Sequence, residues 1–466
     1  MLLLLVVVEP VVALRKKKTQ EQQELWVATT DIAQAPRHVF YDRLNKLLAE
    51  AAFDSFIEEL AEPYYADGGR PGIAPGVYFR MLFIGYFEAI DSQRGIAWRC
   101  EDSLSLRKFL GLKLSENTPD HSSLTRIRDR FPVEIHYEVF EFVLRIAAEK
   151  KLISGTTVGV DATLLEANAA MKSIVRRETD EDWKAYIKRL MLEEGEVTED
   201  DAPTDEELRR FDKRREGKKV SNSDWKSPVD EDARIIRMKD GRTHMGYKAE
   251  HVVDLETEIV LSADVRHGTD ADSQTLCESV VLAQMNLEDA GLEHTIEEVV
   301  ADKGYHSNAQ LSDCEELEYR TYIPEPASKH KRRWTDKPAE YERAFRRNRE
   351  RMKRSKGKSL QKLRSERVER SFAHMCETGG ARRTWLRGLE KTSKRYLMVA
   401  AAHNLSLVMR KLFGSGKPRG FGGIAPLFSQ LRTNLTHDEL IRPLIRPALR
   451  LQDLLKRQPP AQTLCG

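Results

Sequence analysis

Cysteine is scarce and scattered. The five copies, Cys100, Cys277, Cys314, Cys376 and Cys465, include no CxxC pair, which argues against a disulfide scaffold and a cysteine-ligated zinc site. No HExxH string occurs either, which disfavours a zinc hydrolase. No run of about 18 apolar residues is present, so no membrane span is expected. The opening MLLLLVVVEPVVAL is interrupted by Glu9 and Pro10, and Lys16, Lys17 and Lys18 follow rather than precede it. It reads as a tail or a miscalled start, not as a signal peptide. An excess of one charge is also missing, because 76 Lys+Arg against 74 Asp+Glu leave a net charge of +2. Taken alone, that balance argues against a uniformly basic nucleic-acid protein. Together these absences predict a soluble, cytoplasmic protein.

What is present is length and a strongly uneven charge distribution. The 466 residues, 40% of them hydrophobic, predict two or three domains. From 37 to 150 the apolar residues recur at helical spacing, with Pro75 at one helix start and Ser92 and Ser122 as candidate N-caps. After Lys151 the texture changes. Thr156 to Asp161 reads as a β-branched strand ending in an acid, and Gly246 to Asp254 as an alternating strand that pairs with Glu258 to Arg266. A helix from 273 to 292, a short strand ending before Asp302, a helix near 307–317 and a strand at 319–323 complete an α/β pattern with a mixed sheet. Glu178 to Leu208 holds thirteen acids and three bases, whereas Lys329 to Arg370 holds eighteen bases and six acids. These blocks nearly cancel in the total. The acidic one reads as a solvated insertion, and the basic one is dense enough to attract phosphate.

Three carboxylates stand out by position. Asp161 and Asp302 each follow a predicted strand, the place where α/β sheets gather their sites. On neighbouring strands they would lie close enough to hold Mg²⁺, which prefers carboxylate oxygens. Glu369 falls at the edge of the apolar stripe Val368, Phe372 and Met375 on a predicted helix over about 360–376. The row Arg126, Arg128 and Arg130 reads as a solvated helix face or a set of phosphate contacts. His267 and Asp272 are read as loop and cap residues, Tyr305 as a packed aromatic or a DNA-positioning group, and His306 as a motif residue rather than a ligand.

The order and spacing of several strings resemble one family, the DDE-type transposases of bacterial insertion sequences. Arg70-Pro71-Gly72 with Pro75 and Tyr78 to Leu82, then Ser103 to Gly111 and Pro119 to Leu124, resemble the N-terminal helical module of that family. Val160-Asp161-Ala162-Thr163 with Glu166 to Ala169 resembles its first acidic motif, Asp302-Lys303-Gly304-Tyr305 the second, and Val368 to Phe372 with Arg387-Gly388 and Asn404-Leu405 the third. The resemblance covers roughly 37–413.

It implies an RNase H-like α/β catalytic domain, a mixed sheet with flanking helices, preceded by an all-α domain. The implied organisation is a tail at 1–36, a helical DNA-binding domain at 37–150, a catalytic domain at 151–413 with an acidic insertion at about 172–230, and a tail at 414–466. Asp161, Asp302 and Glu369 become the catalytic residues and the ligands of two Mg²⁺ ions roughly 4 Å apart, with Mn²⁺ as a substitute. Arg126, Arg128, Arg130, Arg370, Arg382, Arg383 and Tyr305 become the expected DNA contacts. The partners implied are double-stranded DNA (the element's terminal repeats and a target site) and a second copy of the chain, nucleoid-associated when bound to DNA. One departure stands out: relatives carry tyrosine and arginine before the glutamate and lysine after it, where this chain has Lys362, Ser365 and Cys376. Arg370, Arg382 or Arg383 then takes over the lysine's contact, and Glu366 is the alternative to Glu369. Two other readings share the fold, an RNase H-like nuclease without strand transfer and a non-catalytic DNA-binding relic.

Overall fold

The computed structural model describes residues 37–65, 72–215, 222–292, 296–327 and 332–418. Both expected tails, apart from 414–418, and Arg70 and Pro71 of the N-terminal motif lie outside the described residues. Among the described residues seven helices precede the first strand: α1 (Arg37–Glu50), α2 (Phe53–Ala61), α3 (Pro75–Glu88), α4 (Gln93–Glu101), α5 (Leu104–Phe109), α6 (His121–Arg130) and α7 (Val133–Glu149). Pro75 opens α3, where its fixed φ and missing N–H suit the first turn. Buried side chains surround α3 on nearly every side, as an all-round apolar sequence requires. Ser92 caps α4 by accepting from the Gly95 N–H at 3.1 Å. The cap of α6 is Asp120 rather than Ser122. Asp120 accepts from the Ser123 N–H and the Ser122 hydroxyl, each at 2.8 Å.

The sheet is mixed. Strand β1 (Thr157–Glu166) is followed by the two-residue strands β2 (Val175–Arg176) and β3 (Trp225–Lys226), which form a ribbon. Between them stand α8 (Trp183–Glu193) and α9 (Asp205–Arg214), packed on each other through Ile187, Met191, Leu208 and Phe211. The acidic segment thus has a small core of its own. Next come β4 (Arg234–Arg237), β5 (Thr243–Asp254) and β6 (Val260–His267), then α10 (Asp272–Asp289), β7 (Glu298–Ala301), α11 (Asn308–Glu316) and β8 (Arg320–Tyr322). Strand β5 is antiparallel to β1, β4 and β6, while β7 runs parallel to β1 and β8 parallel to β7. The order β6-β5-β1-β7-β8, with β4 continuing the β6 edge, is the mixed sheet with flanking helices that the RNase H-like expectation called for.

One sequence expectation needs correction. Strand β1 does not end at Asp161 but runs on to Glu166, because Thr163, Leu164 and Leu165 pair with Ala249, Lys248 and Tyr247 of β5. On the alternating strand β5, Lys248 and Glu250 are buried, since helices cover the sheet on both sides. Three α-helices end the described residues, α12 (Ala339–Lys353), α13 (Ser355–Phe372) and α14 (Leu389–Phe413). Helix α14 is buried along most of its length between the sheet and the N-terminal helices. The Asn404 amide on α14 both donates to and accepts from the backbone of Val260, which satisfies the edge of β6. One apolar cluster runs from Phe40 to Met409, so the N-terminal helices and the α/β part share a core. No helix among the described residues is long and apolar enough to cross a membrane.

Candidate active site

Register brings two of the three expected carboxylates together. Val160 on β1 pairs with Ala301, the last residue of β7. The next residue on each strand's path is an aspartate, so Asp161, within β1, and Asp302, just past the end of β7, lie at the same level. Asp302 then caps a single 3₁₀ turn, Lys303–Tyr305, by accepting from the Gly304 N–H at 2.7 Å. Asp161 accepts from the Ala162 N–H at 2.8 Å through Oδ1 and from Arg364 Nη1 at 2.7 Å through Oδ2. Burial pushes the Asp161 carboxyl above the usual range. The Arg364 charge opposes that rise, and the neighbouring Asp302 charge adds to it.

Helix α13 lies across this part of the sheet. Arg364 and Val368 face β1 and pack on Gly159, while the Gln361 amide donates to the carbonyls that end β7 and β8, Ala301 and Tyr322. Glu369 follows this buried stripe and is exposed, with its carboxylate accepting from the Ser365 hydroxyl at 2.8 Å. Glu366 is also exposed and pairs with Arg370. The structure therefore joins Asp161 to Asp302 and leaves both glutamates on the outer side of the helix. Among the described residues no three His, Cys, Asp or Glu side chains converge as a metal-holding group.

The expected DNA contacts divide. Arg126 and Arg130 are exposed, whereas Arg128 is buried and lies beside α14, where Lys394 donates to its carbonyl. Arg370 is engaged with Glu258 at the β5–β6 turn, beyond the Val158 end of β1. Arg382 donates to Thr163 Oγ1 and to the Leu164 carbonyl, and so braces the end of β1. Arg383 is half exposed and lies over the Trp385 ring at 4.8 Å. Tyr305 is fully buried and donates to Glu250 at 2.8 Å, which places it inside the fold. His306 is buried against Phe345, and burial lowers its pKa. His267 faces the Asp232 carbonyl at 2.9 Å.

Sequence reasoning missed a polar group beneath the site. Lys248 reaches Asp272 at 3.1 Å and the Asp270 carbonyl at 2.9 Å, and lies 3.6 Å from Glu250. Glu250 also accepts from Thr275 and Ser279 of α10. The Lys248 to Glu250 alternation was visible, but it reads as a wet strand face until the covering helix is known. A cavity of about 670 Å³ opens beside this group, lined in part by Ala162, Glu166, His244, Asp272 and Arg382.

Two family models match the chain. The one described as Transposase domain (DUF772) covers residues 30–130, and the one described as Transposase DDE domain covers residues 294–409. The second includes Asp302 and Glu369; Asp161 lies before it. No curated protein and no solved structure matches the chain.

Proposed function

We propose that this chain, matched by transposase family models over residues 30–130 and 294–409, is a DDE-type transposase of an insertion sequence that binds the terminal inverted repeats of its element and cuts and rejoins DNA there with Mg²⁺. The observation that carries this reading is the placement of Asp161, on β1, level with Asp302 at the end of the parallel neighbour β7. Their donor set fits a hard divalent cation: both offer carboxylate oxygen, and a guanidinium already stands against Asp161 as a positive partner. Asp161 and Asp302 would hold the ion, and Glu369 is proposed as the third carboxylate on its motif alone. When bound, Mg²⁺ supplies Lewis acidity to the scissile phosphate.

The chain's own residues then orient the reaction. The β1–β7 pairing fixes the two aspartates against each other, and Arg382 secures the strand end beyond them. Water attacks the phosphorus at the element's end, and the 3′ oxygen leaves with a proton as a free hydroxyl. That hydroxyl next attacks a target phosphate, joining element to target and releasing a target 3′ hydroxyl. Arg126, Arg130 and Arg383, all exposed, are the proposed phosphate contacts. A homodimer pairing two element ends is part of the proposal.

The test uses labelled terminal-repeat DNA, Mg²⁺ and the full chain. Asp161→Ala and Asp302→Ala are expected to lower cleavage by roughly a thousandfold, the scale of losing a main source of transition-state charge stabilisation, while retaining the gel shift. Normal cleavage by Asp161→Ala sinks the assignment. Cleavage without joined product points instead to a nuclease.

A further inference from the structure

Arg364 reaches Asp161 by a route that the fold has cleared for it. At Gly159 an added Cβ would lie 3.1 Å from Arg364 Cγ, tighter than ordinary contact, so the glycine lets the arginine stem cross β1 without shifting. The side chain is 10% exposed and ends with Nη1 at 2.7 Å from Asp161 Oδ2. Its Nε is buried without a hydrogen-bond partner, so the guanidinium is placed for the carboxylate and little else. The other Asp161 oxygen is taken by the Ala162 N–H. Oδ2 carries the protein's own cation, while Oδ1 accepts a single backbone N–H.

We propose that Arg364 is the built-in counter-ion of Asp161, holding Oδ2 until a divalent metal displaces it. Two facing aspartates repel each other, and an arginine keeps its charge throughout the physiological range. It therefore offsets the charge of Asp161 and aims its carboxylate before metal binds. Metal binding must break the ion pair, so Arg364 weakens metal affinity in the free protein. Once released, the guanidinium offers its donors to a phosphate. Arg364 acts through Asp161 and is a positioning residue. The proposal rests on the reading of Asp161 as a metal ligand.

The test measures Mn²⁺ binding to the full chain without DNA, from the electron paramagnetic resonance signal of free Mn²⁺. Arg364→Gln is expected to bind Mn²⁺ roughly tenfold tighter than the native chain, equivalent to about 1.4 kcal/mol of competition removed. Arg364→Met keeps the apolar stem over Gly159 and serves as a second, well-packed variant with the same expected gain. Arg364→Lys, which retains the charge, is expected to stay near the native affinity. Unchanged or weaker binding in both neutral variants overturns the proposal while leaving the metal reading intact. Native-like binding by Asp161→Asn would instead overturn the metal reading on which it rests.

Discussion

Glu250 carries a carboxylate where water has almost no access, at 1% exposure. It accepts hydroxyl hydrogens from Thr275, Ser279 and Tyr305 and faces the Lys248 ammonium at 3.6 Å. A buried charge persists only when its lone pairs are used in this way. Burial and the Glu250 charge hold the Tyr305 hydroxyl protonated, with its pKa far above the ordinary value. Tyr305 closes the turn that Asp302 caps, so the network beneath the sheet fixes the aspartate above it. Glu250→Ala strands three hydroxyls and leaves Lys248 with Asp272 and the Asp270 carbonyl as its partners, and is expected to cost about 3 kcal/mol in urea unfolding. Tyr305→Phe removes one donor and is expected to cost about 1 kcal/mol. Similar small losses in both variants would show that the carboxylate does not organise the network. None of this was legible in the sequence. A Lys-x-Glu strand pattern has the same spacing whether it faces water or a helix, and only α10 decides which.

At the scale of elements, the docking of α13 on β1 sets the site. Gly159 permits it: an added Cβ would stand 2.6 Å from Leu255 Cδ2 and 2.9 Å from Val368 Cγ2. Gly159→Ala is expected to push α13 outward and cost about 1–3 kcal/mol, read as a lower urea midpoint. It should also loosen the Arg364–Asp161 pair; an unchanged midpoint would show that the helix docks less tightly than the contacts indicate. The apolar stripe Val368, Phe372 and Met375 was readable, and so were the strands around Asp302, because each follows from local periodicity. The inward turn of Arg364 was not, since a cation in a basic segment reads as solvated. The continuation of β1 past Asp161 was hidden for another reason. Its extra residues are held by β5, more than 80 positions away, and by the backbone at Arg382 and Thr384. The acidic insertion was visible as charge, while its ribbon and separate core depend on pairing that charge does not encode.

For the whole molecule, the near-zero net charge conceals opposed blocks, and the shared core conceals a set of buried histidines. Tyr86 on α3 faces His403 on α14 across 317 residues of sequence, and Tyr137 on α7 donates to Asp264 on β6. Such contacts join the N-terminal helices to the α/β part and cannot be read from local pattern. His136 sits at this junction, with Nε2 at 3.1 Å from the Tyr78 hydroxyl and Nδ1 at 3.1 Å from the Pro132 carbonyl. Burial lowers its pKa to about 3. The unfolded chain therefore takes up this proton first, near pH 6.5. The stability this neutral ring contributes is complete above about pH 6.5 and is lost as the pH falls towards about 3. Glu141 on the same helix is pushed up to about 7 by burial and by Glu138, and it acts in the opposite sense, gaining stability on acidification. The two are separated by substitution. His136→Gln retains a polar group near Tyr78 but cannot titrate. Between about pH 5.5 and 4 its unfolding free energy is expected to fall less steeply than that of the native chain, by about 1.4 kcal/mol per pH unit. Parallel slopes for the two proteins across that range would show that His136 is already protonated in the fold, and that the junction tolerates a charge its burial should exclude.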